Sequence, residues 1–242
     1  MGGLNNLVLI STDGLHWTPG TSTDFQELHH LTFGNGKFVK VGHGNHIMTS
    51  ADGVNWTAEP SPTPSSLVAV AYGNGLFVAV GNEGALVTSV DGVAWTIRDS
   101  GTDERLRGIT YGNGQFVAVG YYGTIITSKD GVRWTSRKSG TDDRFQAVTY
   151  GNGTFVAVGW HGLILTSTNG LTWTQQPSVT ATHLLQVAYA AGPQTPADSE
   201  RTGRRGQSRR TAYFSSLLAW CRHLSYSWQL PSPIAPRSSS TS

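Results

Sequence analysis

Tyr150-Gly-Asn-Gly-Thr-Phe-Val-Ala-Val-Gly-Trp-His-Gly-Leu-Ile-Leu-Thr-Ser-Thr-Asn-Gly-Leu-Thr-Trp173 is the stretch whose reading decides the fold. It is written again from Tyr111 to Trp134 and from Tyr72 to Trp95, with a looser copy from Phe33 to Trp56. The tryptophans give the period: Trp17, Trp56, Trp95, Trp134 and Trp173 stand 39 residues apart. Gly-Asn-Gly triplets beginning at Gly34, Gly73, Gly112 and Gly151 keep that spacing. A fixed period of this size marks a repeat architecture in which each unit leaves a face for its neighbour to cover.

Within one unit the residues read as four short strands. Leu106–Tyr111 is the first, and Gly112-Asn-Gly114 is a tight hairpin turn, because Asn-Gly takes the positive φ such turns need. Phe116–Val119 is a continuous apolar run, as expected for a strand covered on both faces. Gly120 to Gly123 turn the chain, and Ile125–Ser128 is the third strand. Asp130-Gly131 turns it again, and Arg133-Trp-Thr135 begins the fourth. Four antiparallel strands per ~40 residues describe a blade of an all-β propeller.

The most regular side chains read as structural. The five tryptophans fit blade-to-blade packing. Each can bury ~150–250 Å², roughly 4–6 kcal/mol as an upper bound. Asp13, Asp52, Asp91, Asp130 and Asn169 fit side chains folded back on the N–H groups of their own turns. One per blade around a ring, they do not form an acid/base pair. Thr-Ser-Ala-Asp-Gly-Val-Asn-Trp56 and its copies resemble the Asp-box, or bacterial neuraminidase repeat, of sialidases and many non-enzymatic propellers. They are also similar to the repeats of photosystem II assembly factors. The resemblance covers residues 3–189 and implies a bacterial propeller whose boxes are structural turns. It departs in that Asp and Gly are adjacent here, where the Asp-box has a residue between them.

Four full blades are expected at 28–56, 67–95, 106–134 and 145–173. A fifth is split, with 3–17 giving its third and fourth strands and 184–189 its first, so that the ring closes without free edges. A closed ring implies a monomer. After Tyr189 the period stops in mid-blade at Ala190-Ala-Gly-Pro-Gln-Thr-Pro-Ala197. Domain boundaries fall between blades, so 190–242 reads as an out-of-frame extension, mostly disordered; a genuine basic appendage is the alternative. Gly3 matches Gly42 in phase, so the chain also begins in mid-blade, and a parent ring can have more blades.

Charge divides at the same point. Residues 1–189 carry 10 Lys/Arg against 13 Asp/Glu, a balance of −3, and 190–242 carry 7 against 2, a balance of +5. The net +2 is therefore no sign of a nucleic-acid surface on the repeats. The single cysteine, Cys221, allows neither an internal disulfide nor a cysteine-based metal site. No signal peptide is visible, no apolar run approaches the ~18 residues of a membrane helix, and the compartment is left open.

The Gly-Asn-Gly and Asp-Gly turns share one face of the disc. On the opposite face the copies differ, and a specific surface belongs there. Between the second and third strands stand His43 with Gly44, Asn82 with Glu83, Tyr121 with Tyr122, and Trp160 with His161. Arg105 and Arg144 hold equivalent places between blades and suit an acidic group, or local pairing with the Asp-Glu and Asp-Asp before them. Tyr121, Tyr122, Trp160 and His161 suit stacking on a sugar or gripping a peptide. His43 and His46, with no carboxylate or cysteine nearby in sequence, are weak support for a metal; with His29 and His30 they read as surface residues. No cofactor motif is present. The reading is a non-catalytic scaffold presenting the variable face to a glycan or protein. The alternatives are a sialidase-like glycoside hydrolase, which would draw on Arg105, Arg107, Arg144 and Tyr122, and a truncated or frameshifted product without function.

Overall fold

The computed structural model describes residues 9–10, 15–16, 18–19 and 28–189. Asp13, Trp17 and the whole of 190–242 lie outside the described residues. A short pair, β1 (Leu9–Ile10) and β2 (Thr18–Pro19), is followed by four antiparallel four-stranded sheets. The first holds β3 (Leu28–Gly34), β4 (Lys37–Gly42), β5 (Ile47–Ser50) and β6 (Thr57–Glu59). The second holds β7 (Leu67–Gly73), β8 (Leu76–Gly81), β9 (Leu86–Ser89) and β10 (Thr96–Ile97). The third holds β11 (Leu106–Gly112), β12 (Gln115–Gly120), β13 (Ile125–Ser128) and β14 (Thr135–Arg137). The fourth holds β15 (Phe145–Gly151), β16 (Thr154–Gly159), β17 (Ile164–Ser167) and β18 (Thr174–Gln175).

Strands follow one another within each sheet in chain order. Asn35, Asn74, Asn113 and Asn152 take φ of 46–49° and the glycine after each takes 71–75°, the type I′ geometry that matches hairpin twist. The fourth strand starts later than the sequence suggests: β14 begins at Thr135, where the apolar pattern placed a start at Arg133. Trp134 is held in the turn instead, its Nε1 donating to the Gly131 carbonyl at 3.0 Å. The expected blade limits, which stop at each tryptophan, fall short of the last strand for that reason.

First strands of successive sheets lie side by side, β3 on β7, β7 on β11 and β11 on β15. Apolar clusters fill the spaces between sheets. Val39, Val41 and Ile47 of the first meet Phe77, Val87 and the 9% exposed Trp95 of the second. Val80 and Leu86 of the second meet Phe116 and Trp134 of the third, and Val117 and Ile125 of the third meet Phe155, Leu165 and Trp173 of the fourth. Each junction also has a glycine seat. A Cβ at Gly34, Gly73, Gly112 or Gly151 would collide with the ring of Tyr72, Tyr111, Tyr150 or Tyr189 respectively. Thus an aromatic ring late in the first strand of one unit rests on bare backbone of the unit before it.

Phe33 is the same ring in the first sheet, but it is 56% exposed. Lys40 in that sheet stands where Ala79, Ala118 and Ala157 stand in the others, with its Nζ 4.7 Å above Trp56. Leu184–Tyr189, read above as a fifth first strand, makes no strand pairing among the described residues. The Phe-Val-Ala-Val segment that would pair with it is missing from the sequence after Tyr189. The Leu184 N–H still donates to the Gly159 carbonyl at 2.9 Å.

Candidate functional site

Two kinds of backbone hydrogen bond fix the geometry of the variable face. The linkers after the second and third sheets are tied back to the sheet they leave: Gly123 N–H donates to the Asp143 carbonyl at 2.7 Å, as Gly84 does to Glu104 at 3.0 Å. The next residue is tied forward: Trp160 N–H donates to the Arg144 carbonyl at 2.9 Å, as Tyr121 does to Arg105. A bulge at the start of each first strand, between Phe145 and Ala147 in the fourth sheet, accompanies that forward bond. Arg144 is thereby held by its backbone between the turn carrying Tyr121 and the turn carrying Trp160.

The side chains follow. The Arg144 guanidinium carbon lies 4.7 Å from the Tyr121 ring centre, 4.4 Å from that of Trp160 and 6.0 Å from that of Tyr122. Beyond Trp160, His183 stacks on the indole at 4.4 Å and 8°. The sequence reading did not single out His183, yet it lies 39 residues past Arg144, the same place one repeat on. Its Nδ1 accepts the His161 N–H at 3.2 Å, so that nitrogen carries no proton and Nε2 is the N–H. His161 Nδ1 meets the Asp143 carboxylate at 3.0 Å, a pair on a 65% exposed side chain and therefore weak. Asp143 was not among the expected site residues either. Tyr121, Arg144, Trp160 and His183 thus form one ladder of rings and a planar cation.

The remaining candidates lie outside it. Glu83 Oε2 accepts from Ser65 Oγ at 2.9 Å, the Asn82 N–H donates to the Ser66 carbonyl, and Arg105 is exposed. His43 meets His29 edge-on at 6.4 Å. His30 is not the surface residue expected: it is half-buried, and burial pushes its imidazole pKa below the ordinary value. Among the described residues no group of three His, Cys, Asp or Glu gathers as a metal site. No helix among them is long and apolar enough to cross a membrane.

Backbone conformation singles out one position. The second residue of the turn has φ of 72° at Gly44, 54° at Glu83, 51° at Tyr122 and 52° at His161. Left-handed backbone costs a residue with a Cβ roughly 1–2 kcal/mol, and three of the four copies carry a long side chain there. Tyr122 is 58% exposed, so burial does not repay that strain.

The opposite turns differ in chemistry. In each of the four described copies a serine Oγ accepts the buried glycine N–H at 2.8 Å (Ser50 from Gly53, Ser89 from Gly92, Ser128 from Gly131, Ser167 from Gly170). It donates to the acid or amide two residues on at 2.9–3.1 Å. Asp130 Oδ1 accepts from the N–H groups of Arg133 and Val132 at 2.9 Å, which hold its pKa down at about 2. Asn55 and Val54 hold Asp52 well below the carboxylate range, and Val93 and Ala94 lower Asp91. Asn169 accepts from Leu171 and Thr172 in the same way without a charge.

No known family profile and no curated protein matches the chain. Solved structures do. A structure of YCF48 bound to D1 peptide aligns with a TM-score of 0.61 at 21% identity, over 78% of this chain and 66% of that one. Virginiamycin B lyase from Staphylococcus aureus aligns at 0.64 and 19% identity, over 70% and 62%. The computationally designed Ika8 protein aligns at 0.57 and 10% identity, over 69% and 54%. This chain spans 54–66% of the length of these structures. With the four sheets described above, the likeness establishes the fold: the chain is built as a β-propeller.

Proposed function

We propose that this propeller is a non-catalytic binding scaffold and that the variable-turn face takes a protein partner. The observation that carries the reading is the left-handed display of Glu83, Tyr122 and His161 where the first sheet has Gly44. A strained, exposed side chain repeated at one position is better explained by what it touches than by what it stabilises. A peptide bound to YCF48 is a property of that protein, and it is consistent with a propeller of this build serving as a protein-binding surface. Glycan stacking has less to use here, because the broadest ring, Trp160, is already covered by Arg144 and His183. We read the Ser-x-Asp-Gly turns as Asp-box-like structural turns, their carboxylates engaged by backbone N–H groups.

Selection of the full chain against a random peptide library, with a glycan array in parallel, tests this. Peptides are expected to enrich, and Tyr122→Gly with His161→Gly together are expected to weaken them roughly tenfold or more. Enrichment that ignores both changes, or saturation by glycans alone, overturns the assignment. Turnover of a fluorogenic sialoside would instead support the hydrolase alternative.

A further inference from the structure

We infer that Arg144 is the anchor of a carboxylate-recognition site, which takes an acidic side chain of a peptide segment through the N–H edge of its guanidinium. The inference rests on the protein-binding reading of this face and adds the chemistry of the ligand. Three other arginines use their Nε–H on the protein itself: Arg98 on Thr88, Arg137 on Thr127 and Arg107 on Gln146. The Arg144 guanidinium has rings over it and no hydrogen-bond or ion-pair partner among the described residues. The acid next to it in sequence is already engaged: Asp143 takes His161 Nδ1 and the Arg144 backbone N–H at 3.0 Å each.

A stacked guanidinium with free edges is pre-organised. Its rotamers are restricted before binding, and its fork of parallel N–H groups matches the two oxygens of a carboxylate better than a point charge does. Tyr122 beside the ladder is 58% exposed and suits an apolar residue flanking the acid. A sugar carboxylate shares the anion chemistry, but the face of Trp160 that a pyranose would stack on is occupied.

The test follows the Arg144 Nε–H resonance of the full chain, assigned by its loss in Arg144→Lys. The probes are Ac-Gly-Glu-Phe-Gly-NH2, its Gln counterpart, Ac-Gly-Gly-Phe with a free C-terminus, N-acetylneuraminate and inorganic phosphate. The Glu peptide is expected to shift the resonance to saturation and to bind roughly tenfold or more weakly when Gln replaces Glu. Arg144→Lys, which keeps the charge, is expected to lose a similar factor in a displacement assay, and Arg98→Lys none. Equal response to Glu and Gln, or full affinity in Arg144→Lys, overturns the inference. Saturation by the free C-terminus, by N-acetylneuraminate or by phosphate in place of the Glu peptide overturns the side-chain assignment and names the true anion. Library peptides that need Tyr122 but ignore Arg144 would leave the binding face standing and remove this site. A Glu response at Arg144 with no library enrichment would do the reverse.

Discussion

Single residues on the two faces of the disc carry opposite kinds of constraint. Tyr122 is held at φ 51° with its side chain in solvent. Tyr122→Gly is therefore expected to stabilise the protein by about 1 kcal/mol, near 2–4 °C in midpoint for a domain of this size, while weakening partner binding. Thermal unfolding of both proteins checks the first half, and an unchanged or lower midpoint would show that the left-handed turn is unstrained. On the other face the acids are exposed, and hydrogen bonds from backbone N–H groups, not burial, shift their titration. Folded Asp52, Asp91 and Asp130 have lowered pKa values, so they stabilise the native state above the unfolded value of about 4. That contribution is lost as pH falls through the folded values, about 2 for Asp130. Asn169 shows that an amide fills the same place. Replacing the three acids by Asn is expected to flatten the loss of stability between about pH 4 and about pH 2, measured as urea midpoints. A variant as acid-sensitive as the parent would place the sensitivity elsewhere.

At the scale of an element, the Ser-x-Asp-Gly turn is one hydrogen-bonded unit in which the serine does as much as the acid. Ser128→Ala removes the acceptor for the buried Gly131 N–H and is expected to cost about 1–3 kcal/mol. Urea unfolding reads this directly, and a loss near zero would mean another acceptor takes the N–H. The strands, the Gly-Asn-Gly hairpins and the role of Phe116–Val119 were legible in the sequence, because period, turn chemistry and apolar runs are all local signals. The serine was not, since Thr-Ser before a turn is unremarkable in a β-rich chain. The start of β14 was misplaced because Trp134 looks like a strand residue while its indole N–H is caught by the turn. Choosing the variable turns over the constant ones as the candidate face needed only a comparison of copies. The ladder itself needs contacts between the turn of one sheet and the linker of the next. Tyr121, Arg144 and Trp160 were named from the sequence but not joined, and His183 was passed over although it lies one period past Arg144.

At the scale of the whole molecule, one device joins each sheet to the next: Tyr72, Tyr111, Tyr150 and Tyr189 each sit on a glycine one sheet back. Gly112→Ala is therefore expected to lower the unfolding midpoint, because the new Cβ would collide with the Tyr150 ring; an unchanged midpoint would mean that the ring can move aside. The glycine seat also bears on how such a chain arises. The seat belongs to one repeat and the ring that fills it to the next, so every repeat is incomplete in the same way at both ends. Recombination between any two copies in the gene inserts or deletes a whole unit without making a new kind of junction. Copy number can drift while the junctions stay intact, and the turns that tell the copies apart can be shuffled among them. Descendants of one ancestor are then expected to diverge in the number and order of their units sooner than in the interior of any one.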